Sequence, residues 1–321
     1  MKTLKVLIVK TSSLGDVIHT LPALTDAKAN IPEVQFSWVV EESFAEIPNW
    51  HPAVVKVIPV AWRRWRKNLK AALLSGEIFH FLATLRQEKY DLIIDAQGLI
   101  KSAIIAAFAF GVRCGYAKNS VREPQAAYFY KNKYEVAKNQ HAITRSRQLF
   151  ALSLHYTLPP NAPHYGINEK IFPQTEKHEK YMVFFHGTSK AEKCWSEQKW
   201  IELAEFAVAN GFIVYLPWGD NNELLRSKRI AAEKVQVRVL PKLKLAAIAA
   251  LIRSASGVVA VDTGLSHMAA AFDIPTISLY GVTNPELIGT VGANQVHLAN
   301  FGAIEAADVW QVMKNLLSSE H

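Results

Sequence analysis

Asp16 closes a short stretch, KTSSLGD (Lys10–Asp16), that follows the apolar run Leu4–Val9 and precedes a helical pattern. Ser12, Ser13 and Gly15 make this stretch small and hydroxyl-rich. A carboxylate at a helix start is favoured in its charged form by the helix dipole, by about 0.3–1 kcal/mol. Asp16 therefore has two readings. It is a first-turn residue that only complements the dipole, or a general base able to take a proton from an attacking sugar hydroxyl. A second stretch of the same build, DTGLSHMAAA (Asp262–Ala271), follows the apolar run SGVVAV. Thr263 and Ser266 bring hydroxyls, Gly264 allows close backbone approach, and the helix starting near Ser266 would turn free N–H groups toward a ligand. A diphosphate suits such a place. In the structural alternative Asp262 is only an N-cap and His267 only a polar residue at a helix start.

Three further segments carry chemistry. HGTSKAEKCW (His186–Trp195) follows the strand-like YMVFF, and its Thr188, Ser189 and Lys193 could hold a departing phosphate. A solvated loop is the other reading of Lys193. LPWGDNNE (Leu216–Glu223) ends another apolar run, and Glu223 there either accepts ribose hydroxyls or merely starts a helix. WRRWRK (Trp62–Lys67) packs Arg63, Arg64, Arg66 and Lys67 around two tryptophans. The cations could clamp carboxylates or phosphates, and the indoles could sit against sugar faces or a lipid interface. Arg122 in REP and His141 in QHAITRSR are further cation candidates.

These stretches need a scaffold that brings strand ends and helix starts together. Strand-like runs at Leu4–Val9, Phe36–Val40, Val54–Pro59 and Leu92–Asp95 alternate with helical patterns at Val17–Ala29, Leu69–Glu88 and Leu99–Phe110. Nearly continuous apolar strands separated by helices imply a parallel sheet covered on both faces. The rhythm restarts after a proline-rich linker, residues 156–180. Strands are expected at Tyr181–Phe185, Phe212–Leu216, Gly257–Val261 and Thr276–Tyr280. Helices are expected at Trp200–Asn210, Asn222–Glu233, Lys244–Ile252 and Ser266–Phe272. Two α/β domains follow, 1–155 and 181–321, with the last helix free to pack back on the first, and they are expected to face each other across a ligand cleft.

Composition narrows the class. The chain has 321 residues, half of them hydrophobic, and a net charge of +8. Residues 1–155 hold 21 Lys and Arg against 12 Asp and Glu, whereas residues 156–321 hold 15 against 16. An anionic partner should therefore meet the first half: nucleic acid, a phosphorylated glycolipid or an anionic membrane surface. No zinc finger or RRM-type aromatic signature supports nucleic acid. GxGxxG, GxxxxGK[ST], GxSxG and HExxH are all missing, which argues against the dinucleotide, Walker, hydrolase and zincin classes. Two cysteines, Cys114 and Cys194, fit a reducing cytoplasm, and Leu4–Val9 reads as a buried strand, not a signal peptide. No apolar run approaches the about 20 residues that span a bilayer.

Taken together, KTSSLGDVIHTLPAL, WVVEE, WRRWRK, DAQGLIKSA, REP, LPWG and VDTGLSHMAAA resemble the bacterial lipopolysaccharide heptosyltransferases nearly end to end, about residues 4–318. WRRWRK favours the branch of that family that adds the first heptose. The resemblance implies a GT-B fold of two Rossmann-like domains, the acceptor held mainly by the first and the nucleotide-sugar by the second. It implies ADP-L-glycero-β-D-manno-heptose as donor, Kdo-bearing lipid A as acceptor, inversion at the anomeric carbon, no metal cofactor, and a peripheral place on the cytoplasmic side of the inner membrane. By motif position Asp16 matches the base and Lys193 a phosphate-contacting lysine. Glu223 and Asp262–His267 match donor positions, and Arg63–Lys67 the acceptor clamp. KCWS stands where Lys-x-Trp-Pro is expected. Two alternatives stay open: a later core acceptor, and a nucleotide-sugar-binding protein without turnover.

Overall fold

The computed structural model describes residues 2–172, 179–187, 195–281 and 283–318. The chain divides into two units, Met1–Glu169 and Lys170–His321. In the first, β1 (Leu4–Val9) leads through α1 (Leu14–Ile18) and α2 (Leu21–Asn30) to β2 (Val34–Glu41) and β3 (Val54–Val60). Then come α3 (Trp62–Lys67), α4 (Leu69–Leu74), α5 (Glu77–Arg86) and β4 (Lys89–Asp95). α6 (Ile100–Phe108), β5 (Phe110–Tyr116), β6 (Asn132–Tyr134) and α7 (Ala142–Leu154) complete it. The six strands are parallel, in the order β3-β2-β1-β4-β5-β6. Val6, Leu7, Ile8 and Val9 are fully buried, as a strand with helices on both faces must be.

The order reverses between β1 and β4. At such a switch point the loops leave their strands toward opposite faces, and a crevice opens at the carboxyl ends. The segments after β1 and after β4 therefore become neighbours, although 86 residues separate Lys10 from Ala96.

The second unit repeats this plan. Its strands are β7 (Tyr181–Phe185), β8 (Ile213–Leu216), β9 (Val237–Val239), β10 (Gly257–Val261), β11 (Thr276–Tyr280) and β12 (Gln295–Ala299). Its helices are α8 (Glu197–Ala209), α9 (Asn221–Ala231), α10 (Leu245–Arg253), α11 (Gly264–Ala271), α12 (Pro285–Ile288) and α13 (Ala306–Ser318). The parallel sheet runs β12-β11-β10-β7-β8-β9, so its switch point lies between β7 and β10. α13 packs beside α8, with Val309, Trp310 and Met313 buried in this unit's core.

Some elements differ from expectation for local reasons. The helix expected over Val17–Ala29 is two helices, because Pro22, near the start of α2, has no N–H to continue the first. The helix over Leu69–Glu88 breaks at Gly76, whose φ of +75° belongs to the left-handed region. Leu99–Phe110 gives up its last residue to β5. Trp65, offered as a sugar or lipid contact, is instead buried and packs edge-on against Phe81, 5.6 Å between centroids. The first part of the expected linker belongs to the first unit. Arg147 on α7 binds the carbonyls of Pro159 and Asn161 at 3.2 and 3.1 Å, and Asn168 N–H donates to the Trp50 carbonyl.

The same Arg147 forms a buried ion pair with Asp26 on α2, its Nε 2.6 Å from Oδ2. Removing one partner of such a pair strands the other charge, at a cost of about 3–5 kcal/mol. Arg147→Met should lower unfolding free energy by that order in denaturant titration, and adding Asp26→Asn should recover part of the loss. An unchanged midpoint in the single variant would show that the pair does not hold this end of the unit together.

Candidate active site

In the first unit the switch point is built around Asp16. The carboxylate occupies the third position of α1 and reaches back to Ser13, accepting from its backbone N–H at 2.7 Å and its hydroxyl at 2.9 Å. This is the carboxylate half of a capping box. Its other oxygen lies 3.5 Å from the Lys10 ammonium. Burial pushes the Asp16 pKa up, but Lys10 and the two Ser13 donors outweigh it, so the group is held below the ordinary carboxylate value. The expected agent was the helix dipole. α1 has five residues, and the local cation and donors do that work. The Asp16 side chain is still 38% exposed, so it is open to a ligand.

Lys10 is itself nearly buried and donates to the Ala96 carbonyl at 3.1 Å. The loop after β4 fixes the rest of the Ser12–Asp16 turn. Asp95, fully buried, accepts from Tyr130 Oη at 2.7 Å and Ser102 Oγ at 2.9 Å through one oxygen, and from the N–H groups of Gln97 and Gly98 through the other. Burial raises its pKa against these four donors. Gln97, oriented by Asp95, offers its side-chain oxygen to the N–H groups of Thr11 and Ser12 at 3.0 and 3.1 Å. A chain of hydrogen bonds thus runs from a buried carboxylate on β4 to the backbone just ahead of Asp16. Gly115 belongs to it: a Cβ there would strike the Tyr130 ring.

The candidate cations gather around this turn. Lys101 on α6 reaches Ser12 Oγ at 3.4 Å, and burial together with nearby Arg63 and Arg66 lowers its pKa, against Glu41 and Glu123. Arg63 lies over the Phe44 ring at 5.2 Å; Arg66 and Lys67 are exposed. Arg64 is different. Its guanidinium is gripped by Glu77 at 2.7 and 2.9 Å and by Glu42 at 3.1 and 3.2 Å, which leaves less of it for a ligand. Arg122 is exposed in a segment clipped to the β4–α6 loop, where Glu123 N–H donates to the Gly98 carbonyl and Glu123 accepts from Ile100 N–H. His141 caps α7 and stacks edge-on with His19 at the end of α1, 5.5 Å between centroids. Lys10, Lys101, Asp95 and Gln97 were not anticipated as site residues. The one signal for Lys10 was a lysine ending an otherwise apolar strand.

In the second unit Glu223 occupies the first turn of α9, accepts from Gly219 N–H at 2.7 Å, and packs so closely on Gly187 that a Cβ there would collide with its carboxylate. Beside it, after β10, Asp262 accepts from Thr283 Oγ1 at 2.6 Å. Thr263 and Gly264 open α11, whose first turn carries no side-chain cap. Ser266 is buried and gives its hydroxyl to the Thr263 carbonyl at 2.6 Å, and His267 is buried. Both therefore shape the turn more than they line it. His186, under the β7 end, bonds Ser227 at 2.8 Å, and burial, aided by Arg226, drops its pKa to about 4. Thr188, Ser189 and Lys193 lie outside the described residues. Among the described residues no group of three or more His, Cys, Asp or Glu could hold a metal ion.

A doubly wound unit with an ionised, reachable carboxylate among cations, and a second with a carboxylate and uncapped helix amides at its strand ends, define a GT-B glycosyltransferase. Comparison with solved structures agrees. Escherichia coli heptosyltransferase WaaC with ADP superimposes with a TM-score of 0.92 at 45% identity, covering 98% of this chain and all of that one. E. coli ADP-heptose LPS heptosyltransferase II, at 19% identity and a TM-score of 0.80, shares the fold. Lipopolysaccharide heptosyltransferase 1 of Pseudomonas aeruginosa is 52% identical over 92% of this chain and 84% of its own length. Its counterpart in E. coli K12 is 49% identical over 91% and 92%. The model of glycosyltransferase family 9 (heptosyltransferase) matches residues 78–315, and the chain belongs to that family.

Lys10 offsets what burial does to Asp16, so Lys10→Met should let burial win and raise the Asp16 pKa. Carboxyl NMR titration should find Asp16 taking up its proton at higher pH in the variant than in the wild type. An identical midpoint in both would remove Lys10 from the account.

Proposed function

We propose that this enzyme moves L-glycero-D-manno-heptose from ADP-heptose to the Kdo of Kdo-lipid A, inverting the anomeric centre in one displacement. The observation that carries the reading is Asp16, held ionised by Lys10 and Ser13 yet reachable. The Kdo hydroxyl oxygen attacks the heptose anomeric carbon and yields its proton to Asp16. The bond from that carbon to the ADP oxygen breaks, and its electron pair leaves with the diphosphate. Proton transfer to a positioned base contributes typically about 10²–10⁴-fold.

The second unit would receive the leaving group. The first-turn amides of α11, with Thr263, Gly264 and Asp262, would take the diphosphate, and Glu223 the ribose hydroxyls. Lys193 is assigned to the departing phosphate by motif position, and Thr188 and Ser189 by their hydroxyls, where donors strengthen as charge develops. With those cations and dipoles the chemistry needs no metal. The acceptor is anionic, and Arg63, Arg66, Lys67, Lys101, Arg122 and His141 supply positive or proton-donating groups around the Asp16 turn. Similar proteins support the substrate class: one solved WaaC structure holds ADP-2-deoxy-2-fluoro heptose, at 44% identity and a TM-score of 0.89, and relatives from four species carry the name heptosyltransferase 1. Because the acceptor is a lipid, the enzyme would work at the cytoplasmic face of the inner membrane, touching its anionic surface.

Asp16→Asn keeps the shape and the Ser13 contacts but cannot accept the proton. Purified enzyme given ADP-heptose and Kdo-lipid A should release ADP, and the variant should lose about 10²-fold or more in kcat while ADP-heptose affinity stays within a few-fold. Turnover at the wild-type rate would take Asp16 out of the reaction. Gly187→Ala should do the reverse, weakening nucleotide affinity by displacing Glu223.

A further inference from the structure

Beside the cations of α3 lies a groove that no step of the transfer uses. It has a volume of about 360 Å³ and is walled by Trp62, Leu69, Ile78, Leu82, Ile104 and Phe108 from α3 to α6. Arg66 is the one charged residue on its wall among the described residues. The neighbouring surface continues the apolar character. Leu69 at its edge is 57% exposed, and Leu74 and Phe79 nearby are 88% and 64% exposed. Exposed apolar side chains beside an apolar groove point to an interaction site.

Charge identifies what covers it. Trp62–Lys70 carries five cations and no carboxylate. Of the nearby acidic side chains, Glu42 and Glu77 are both engaged by Arg64, and Glu41 is buried and accepts from the Arg63 N–H. A second copy of this chain would bring the same positive face, and like charges repel. An anionic bilayer meets both features at once: its headgroups pair with the cations, and an acyl chain fills the groove. Arg66 is built for that boundary, with an apolar stem and a charged head. No helix of the described residues is long and apolar enough to cross a membrane. Reversible attachment needs two weak signals together, an apolar insertion and a basic cluster. Resting on the lipid-acceptor reading above, we infer that the α3–α6 groove is a membrane-docking site that takes one acyl chain of an anionic phospholipid.

The test compares full-length wild type with Leu69→Asn/Phe108→Asn and with Leu74→Ser/Phe79→Ser. Each is co-sedimented with phosphatidylglycerol–phosphatidylcholine vesicles and with pure phosphatidylcholine vesicles. ADP release is followed in parallel on a de-acylated, soluble Kdo acceptor. Wild type should bind the anionic vesicles and not the neutral ones. Both variants should lose roughly tenfold or more in partitioning, since each removes two exposed apolar side chains that would insert into the bilayer, and their turnover on the soluble acceptor should match wild type, showing that they fold. Equal partitioning of wild type and variants overturns the inference. So does a dimer in wild type that the variants abolish, or unchanged partitioning with an affinity loss confined to the acylated acceptor. Failure of wild type to release ADP with any acceptor would instead sink the transferase reading, whatever the vesicles show.

Discussion

A carboxylate that must be charged and reachable at the same time is the constraint around which the first unit is organised. Burial alone would raise its pKa, and full exposure would leave it unpositioned and screened. The compromise sets Asp16 at the rim, with Lys10 on one oxygen and Ser13 on the other. Neither support is free to move. Lys10 is tied to the Ala96 carbonyl, and the turn ahead of Ser13 is tied to Gln97, which Asp95 holds in turn. The parallel register of β1 against β4, which pairs Val9 with Asp95, brings these pieces together.

The two units use one topology for opposite electrostatic tasks. In each, the crevice at the switch point collects the loops after two neighbouring strands. The first fills that place with ammonium and guanidinium groups around one carboxylate, Asp16. The second offers uncapped helix amides and two carboxylates, Glu223 and Asp262, and its net charge is close to neutral. Fixed dipoles suit a group that must leave, because they stabilise growing charge without following it as mobile ions would. Side-chain cations suit a bulky anionic acceptor, whose charges are spread over several positions. On the proposed reading, the division of labour follows from what each partner asks of its binding surface.

Much of this was legible in the sequence, and the parts that were not share a cause. Apolar runs marked eight of the twelve strands among the described residues, because a strand buried on both faces must be continuous Val, Ile, Leu and Phe. β6, β9 and β12 escaped notice because they are edge strands, two of them three residues long, and β5 because glycines 111 and 115 break its pattern. Asp16 was legible from its place between a strand and a helix. Its partner Lys10 was not, because nothing local says that a lysine turns inward to meet a strand 86 residues later. Asp95 and Gln97 were hidden for the same reason: their roles exist only once β4 lies beside β1. WRRWRK was read as four equivalent cations. Glu42 and Glu77 single out Arg64, a distinction that depends on how α3 meets α5.

The central claim is that the proton acceptor is a carboxylate kept ionised well into the acid range. The pH dependence of ADP release in a single turnover tests it most directly, because product release does not enter. The rate should hold level through the region where histidine titrates, about pH 6.5, and fall only below the ordinary aspartate value of about 3.9. An acid limb centred near 6.5 would mean that an imidazole takes the proton in place of Asp16.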